Sequence, residues 1–198
     1  MESEGQRVFL VRHGETEWSL TGQHTGGTDL PLTEAGVDQG RLLTERLKEL
    51  DFALVLTSPL RRATETCRQA GLLESAQVLE DLREWDYGAY EGRTTPEIRR
   101  EQPDWSIWTD GAPGGETPAQ VSDRADRVLE RVRAADGDVA LFSHGHMLRT
   151  VGARWLGLPT VAGSHLMLST ASVSVLGYER DVPVIRLWNG RAHLSQFA

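Results

Sequence analysis

Two segments far apart in this chain read alike. Val8, Phe9, Leu10 and Val11 run straight into Arg12-His13-Gly14, and Ala140, Leu141 and Phe142 run through Ser143 into His144-Gly145. Short unbroken apolar runs of this kind mark strands covered on both faces, as in a sheet packed between two layers of helices. Open α/β sheets place their ligands beyond the carboxyl ends of such strands, so two strands that each end in His-Gly would bring two imidazoles to one site. Imidazole titrates near neutrality and is nucleophilic when unprotonated, while a guanidinium beside it is a planar fork suited to phosphate oxygens. Arg12-His13 therefore points to phosphoryl transfer onto His13. The simpler reading, a turn that merely ends a strand, applies to either segment taken alone.

The rest of the chain alternates strands with amphipathic runs. Strands are expected at residues 7–11, 53–57, 139–142, 172–177 and 184–188. Thr33 is placed to cap a helix running to about residue 50, and Ser58-Pro59 to open another that Gly71 ends. Thr117-Pro118-Ala119-Gln120 is a capping box with proline at the first helical position, opening a helix to about residue 135. Residues 81–115 differ: they hold Pro96, Pro103, Pro113, many glycines and three of the six tryptophans, with one short helix after Thr95-Pro96. The expected fold is α/β, a three-layer sandwich whose mostly parallel central sheet carries helices on both faces. Residues 1–198 read as one domain, with 81–115 as an insertion over the active site. Trp105 and Trp108 line a pocket there or fill the insertion's own core, the latter being the commoner use of such side chains.

With 198 residues, 39% of them hydrophobic and 25% charged, the chain can bury one sizeable core. The lone Cys67 excludes an internal disulfide and reads as a small packing residue. The polar start MESEGQR is neither a signal peptide nor a membrane span, which makes the cytoplasm the expected location. A formal charge of −8 argues against a nucleic-acid partner, whose backbone demands a basic face. A small anionic substrate would be caught by local arginines instead, and Arg12, Arg61, Arg62, Arg83 and Arg93 lie near the motifs. Among the arginines Arg62, Arg99 and Arg100 read as solvated surface charges. No membrane partner is expected, and pairing into a homodimer is compatible with the sequence. None of the six histidines sits in an i, i+4 pair within a carboxylate framework, so neither metal nor other cofactor is expected.

The two His-Gly segments, together with residues 22–33 (GQHTGGTDLPLT), 57–66 (TSPLRRATET), 82–92 (LREWDYGAYEG) and 114–117 (GGET), resemble the histidine phosphatase superfamily, also called phosphoglycerate mutase-like. The likeness spans most of residues 7–150. It implies that His13 is the nucleophile and that Arg12, Arg61 and His144 form the phosphate pocket, with His144 also catalytic. It places the general acid at Glu84; Asp86 is the rival, and only one of the two can face the site. Thr25 and Gly26 match positions that contact the rest of the substrate, and Tyr87 joins them as a binding candidate. Glu15, Asp29 and Glu91 are expected to hold structure, and His24 and His146 to be ordinary turn and helix-start residues.

Departures from the family pattern narrow the reaction. Ser19 stands where many members have Asn, and Thr95 falls at the position of a mutase lysine. No arginine pair lies between Trp105 and Gly115 to retain a bisphosphate intermediate. A metal-independent phosphomonoesterase, resembling the bacterial broad-specificity acid phosphatases, is therefore expected rather than a cofactor-dependent phosphoglycerate mutase. A sedoheptulose or fructose bisphosphatase is the alternative, and would need a second cationic patch such as Arg93 or Arg99. A non-catalytic phosphate-binding domain is the remote one.

Overall fold

The computed structural model describes residues 5–197. In chain order its elements are β1 (Val8–Arg12), α1 (Glu17–Thr21), α2 (Glu34–Leu47), β2 (Leu54–Thr57), α3 (Arg61–Gln69), β3 (Ala76–Val78), α4 (Thr95–Glu101), α5 (Ile107–Asp110), α6 (Pro118–Arg133), β4 (Val139–Ser143), α7 (Gly145–Trp155), β5 (Val173–Glu179) and β6 (Val182–Gly190), with short 3-10 turns between some of them. The six strands form one sheet in the order β3-β2-β4-β1-β5-β6. The β2–β3, β2–β4 and β1–β4 pairs are parallel, and β5 and β6 close the sheet antiparallel.

Alternation along β1 shows how the layers are held. Val8 and Leu10 belong to one buried cluster with Val121, Val128 and Leu129 of α6 and Leu148 and Val151 of α7. Phe9 and Val11 point the other way, into a cluster with Leu43 and Leu47 of α2 and Cys67 of α3. Period-two side chains, all apolar, thus bury both faces. Cys67 is fully buried and its thiol is pushed up to about 12 by burial, which leaves it a packing group. The capping signals are used as written: Thr33 and Thr117 cap α2 and α6, the latter with Pro118 at the first turn.

The strand register makes the site. β1 and β4 are adjacent and parallel, with Arg12 opposite Ser143, and the His13 amide donates to the Ser143 carbonyl at 2.9 Å. The two histidines therefore leave the sheet side by side. The loop after β1 is pinned from below: the Gly14 amide donates to Thr66 Oγ1 of α3, the Glu15 amide to Gln39 Oε1 of α2, and Thr33 Oγ1 to Glu15 Oε1 at 2.7 Å. Glue of this kind requires close approach of backbones. A Cβ on Gly36 would run into the Glu15 carbonyl, and one on Gly14 into the Gly36 carbonyl. Gly36→Ala is accordingly expected to lower stability by about 1–3 kcal/mol, read as an earlier urea midpoint with an unchanged slope.

Among the described residues no helix is long and apolar enough to cross a membrane.

Candidate active site

A cleft of about 320 Å³ opens over the carboxyl ends of β1 and β4. Its floor includes Arg12, His13 and Gly145, and residues of the 81–115 segment, Glu84, Tyr87 and Thr95, stand over it. His13 is buried, and its Nδ1 lies 2.7 Å from the Gly14 carbonyl. A carbonyl can only accept, so Nδ1 carries the proton and Nε2 the lone pair. Burial, then the charges of Arg62 and Arg12, hold the imidazole well below its ordinary pKa against the pull of that hydrogen bond. It is neutral through the mildly acidic range.

Arg12 donates from Nη1 to the Leu168 carbonyl, while its buried Nε has no partner. Such an orphaned donor is costly unless a ligand uses it. A methyl on Gly145 would stand 3.4 Å from Arg12 Cζ and 3.6 Å from Glu84 Oε2, so glycine keeps the space between guanidinium and carboxylate clear.

Glu84 is fixed by three amides. Oε1 accepts from Trp85 and Met147 at 2.9 Å each, and Oε2 from His146 at 3.0 Å. Two of these donors belong to the first turn of α7, the usual anion-binding end of a helix. The segment behind it is clamped by Arg124 of α6, which pairs with Glu116 at 2.6 Å and donates to the carbonyls of Asp81, Arg83 and Glu84. Glu116 also accepts from the Asp86 amide. The GGET motif thus acts by holding the acidic segment. Asp86 is exposed and caps the Gly88 amide, so Glu84 is the carboxylate that faces the cleft.

The arginine pair after β2 is assigned the other way round from the sequence expectation. Arg61 lies on the surface, its guanidinium paired with Glu65 at 2.9 Å. Arg62 is fully buried. Its Nε donates to His144 Nδ1 at 3.1 Å, Nη1 to the Thr28 carbonyl, and Nη2 to the carbonyls of Thr25 and Gly26. The cause is helical phase. α3 buries Arg62, Ala63, Thr66 and Cys67, a single stripe at i, i+1, i+4 and i+5, and Arg61 lies off it. A solvated Arg62 and a phosphate-facing Arg61 are both excluded by this geometry.

His144 is fully buried 5.2 Å, ring to ring, from His13. Since Nδ1 accepts from Arg62, the proton is on Nε2 and is donated to Ser58 Oγ at 2.7 Å. Both ring nitrogens face protein groups, and His144 itself does not line the cleft.

Thr25 and Tyr87 line the cleft, but Gly26 does not. The Gly26 amide donates to Glu91 and its carbonyl accepts from Arg62, and a Cβ there would meet the Trp85 carbonyl at 2.6 Å; it is a packing glycine. Glu91 and Asp29 hold structure, the first through the Gly26 and Thr28 amides, the second through the Arg61 amide. His24 and His146, read from the sequence as turn and helix-start residues, both line the cleft. Tyr87 Oη lies 2.7 Å from His146 Nδ1, and its ring stacks on His24 at 4.6 Å. Burial pushes the Tyr87 phenol well up and the His146 imidazole well down, so both partners of this bond are neutral, and burial takes His24 down to about 4. Arg149, which no motif marks, also lines the cleft. Its signal is spacing: it follows His146 by three residues on a helix that begins at the site.

Arg93, one of the two arginines of the expected second cationic patch, is paired with Glu101 at 2.6 Å. Arg99 donates from Nε to the Trp105 carbonyl. Trp105 and Trp108 belong to the core and also wall a side chamber next to the cleft. Among the described residues, no group of three or more His, Cys, Asp or Glu side chains is arranged to hold a metal ion.

The arrangement is that of a phosphate-handling enzyme of the histidine phosphatase superfamily, branch 1, whose sequence profile matches residues 8–191; the chain belongs to that family. It is 47% identical over 180 residues to an acid phosphatase of Mycobacterium tuberculosis, covering 89% of this chain and 88% of the relative. It is 37% identical over 193 residues to the sedoheptulose 1,7-bisphosphatase of Saccharomyces cerevisiae, covering 80% and 70%. A solved structure of the open reading frame Rv3214 from Mycobacterium tuberculosis superposes with a TM-score of 0.87 at 44% identity, covering 93% of this chain and 97% of that one.

Proposed function

We propose that this enzyme hydrolyses small phosphomonoesters without a metal, through a phosphohistidine on His13. The observation that carries the reading is the His13 tautomer. With Nδ1–H tied to Gly14, Nε2 presents a lone pair in a cleft that also holds Arg12, with its unpartnered Nε, and Glu84. Nε2 attacks phosphorus as the ester P–O bond breaks, and the departing alkoxide takes a proton from the Glu84 carboxyl. Water then attacks the phosphohistidine, giving its proton to the Glu84 carboxylate, and the N–P electron pair returns to Nε2. Arg12 and Arg62 supply the positive charge that a metal supplies elsewhere. His144 orients Arg62 and walls the space beside His13. Thr25 and Tyr87 contact the alcohol portion of the ester.

Hydrolysis is favoured over mutase chemistry by the groups over the cleft. Thr95, at the position of the mutase lysine, is within 3.2 Å of His24 Nε2, and that histidine is neutral.

The test is a rapid quench with radiolabelled ester in the presence of EDTA. Label is expected to remain on the chain in base and to leave in acid, as N-phosphohistidine does, with turnover unaffected by the chelator. Glu84→Gln is expected to slow turnover by about 10²–10⁴-fold. Loss of activity in EDTA, or label that survives acid, would sink the mechanism.

A further inference from the structure

Beside the cleft lies a second chamber of about 210 Å³, which shares His24, Thr95, His146 and Arg149 with it and is walled by Trp105 and Trp108. Its lining contains no carboxylate. Arg149 enters it from α7, with its guanidinium 4.6 Å from the Trp108 ring centroid. Nε donates to the Gly163 carbonyl at 2.9 Å and Nη2 to the Ser164 carbonyl at 3.1 Å. Those two bonds use two of five N–H groups, and Arg149 makes no ion pair with any carboxylate among the described residues. Two carbonyls and an aromatic face fix the direction of the fork without neutralising it. Arg149 is half-buried and feels the Glu84 carboxylate only through space, so a held guanidinium with free N–H groups is left to take an anionic ligand.

Two further groups face the same space. Arg99 has only its Nε engaged, on the Trp105 carbonyl. His146, engaged at Nδ1 by the Tyr87 phenol, lines both the cleft and the chamber. The chamber is thus lined by donors and aromatic faces.

Resting on the proposed phosphatase reading, we infer that the substrate carries a second anionic group, a phosphate or a carboxylate, that binds in this chamber on Arg149. Arg149 is then a specificity-determining residue, and the 81–115 segment contributes the chamber walls. Arg93, neutralised by Glu101, takes no part.

Matched pairs of esters test this. Fructose 1,6-bisphosphate against fructose 6-phosphate reads a second phosphate, and 3-phosphoglycerate against glycerol 3-phosphate reads a carboxylate. In at least one pair the wild-type enzyme is expected to prefer the doubly anionic ester at least tenfold in kcat/KM. Arg149→Met, which keeps an unbranched chain against Trp108, is expected to lose that preference mainly through KM, and Arg149→Lys to retain part of it. No preference in either pair, or a preference that survives in Arg149→Met, would overturn the inference while leaving the phosphatase reading intact. Failure of the wild type on every ester, p-nitrophenyl phosphate included, would overturn both. The wild-type ratios and Arg149→Lys decide the matter if the methionine variant does not fold.

Discussion

Alanine in place of Arg62 is expected to reduce kcat/KM on the order of 10³-fold, whereas alanine in place of Arg61 should change it less than about threefold. The first figure is what loss of a preorganised positive charge costs; Arg62 acts from behind the cleft lining, with Nε, Nη1 and Nη2 all on protein acceptors. The contrast follows from which residue is inside. Arg62 lowers the pKa of His13 through its charge, and four acceptors depend on it: His144 Nδ1 and the carbonyls of Thr25, Gly26 and Thr28. Truncation leaves these buried groups without donors, so a stability loss of about 3–5 kcal/mol should accompany the kinetic one. Arg61 makes only an exposed i, i+4 pair with Glu65, worth about 0.3–0.5 kcal/mol. Turnover of p-nitrophenyl phosphate and urea unfolding of both variants check the assignment. Equal kinetic losses, or a larger one at Arg61, would return the phosphate role to Arg61.

That pair of arginines also shows where the sequence was readable and where it was not. Apolar runs located five strands to within about two residues, because strands buried on both faces carry a dense signal. The missing strand, β3, has three residues, at the sheet edge, with Gln77 at its centre, too short and too polar to stand out. α7 begins with Gly-His and has no side-chain cap, so the sequence marks His146 as no more than a helix start, and the i, i+3 spacing to Arg149 carries no separate signal. Arg61 and Arg62 were distinguishable in principle: Ala63, Thr66 and Cys67 set a helical phase that includes 62 and leaves out 61.

The site depends on contacts that only the fold brings together. Gly26, Glu91 and Arg62 brace one loop, and Glu116 and Arg124 brace the segment of Glu84. Apart from the Arg124–Glu116 pair, eight residues apart, these bonds join residues distant in sequence, so no local pattern encodes them. This is also why His24 and His146 read as incidental from the chain and yet line the cleft. Their neighbours Tyr87, Trp105 and Trp108 come from the 81–115 segment, where proline and glycine hide any periodicity.

His13→Ala should remove turnover by at least about 10⁴-fold, with no labelled phosphoenzyme, and the wild-type pH profile should show what limits the enzyme in acid. Burial holds His13 well below its ordinary pKa, so the nucleophile stays unprotonated as pH falls from 7 through 6 and kcat/KM gains no acid limb from it there. Stability behaves differently. His13, His144 and His146 are each held well below 6.5 in the folded chain, chiefly by burial, and His24 is held at about 4. Below pH 6.5 the unfolded chain binds protons that the folded one refuses, so folding free energy is full above that pH and drains away as pH drops towards each folded value. For His24 alone the loss by pH 4 is about 3 kcal/mol. Activity should therefore persist into mild acid and then end with cooperative unfolding, the thermal midpoint falling below pH 6.5 before initial-rate kcat/KM does. An acid limb in kcat/KM near pH 6.5, with the thermal midpoint unchanged, would mean that His13 titrates as an exposed imidazole and that the buried, neutral nucleophile described here is wrong.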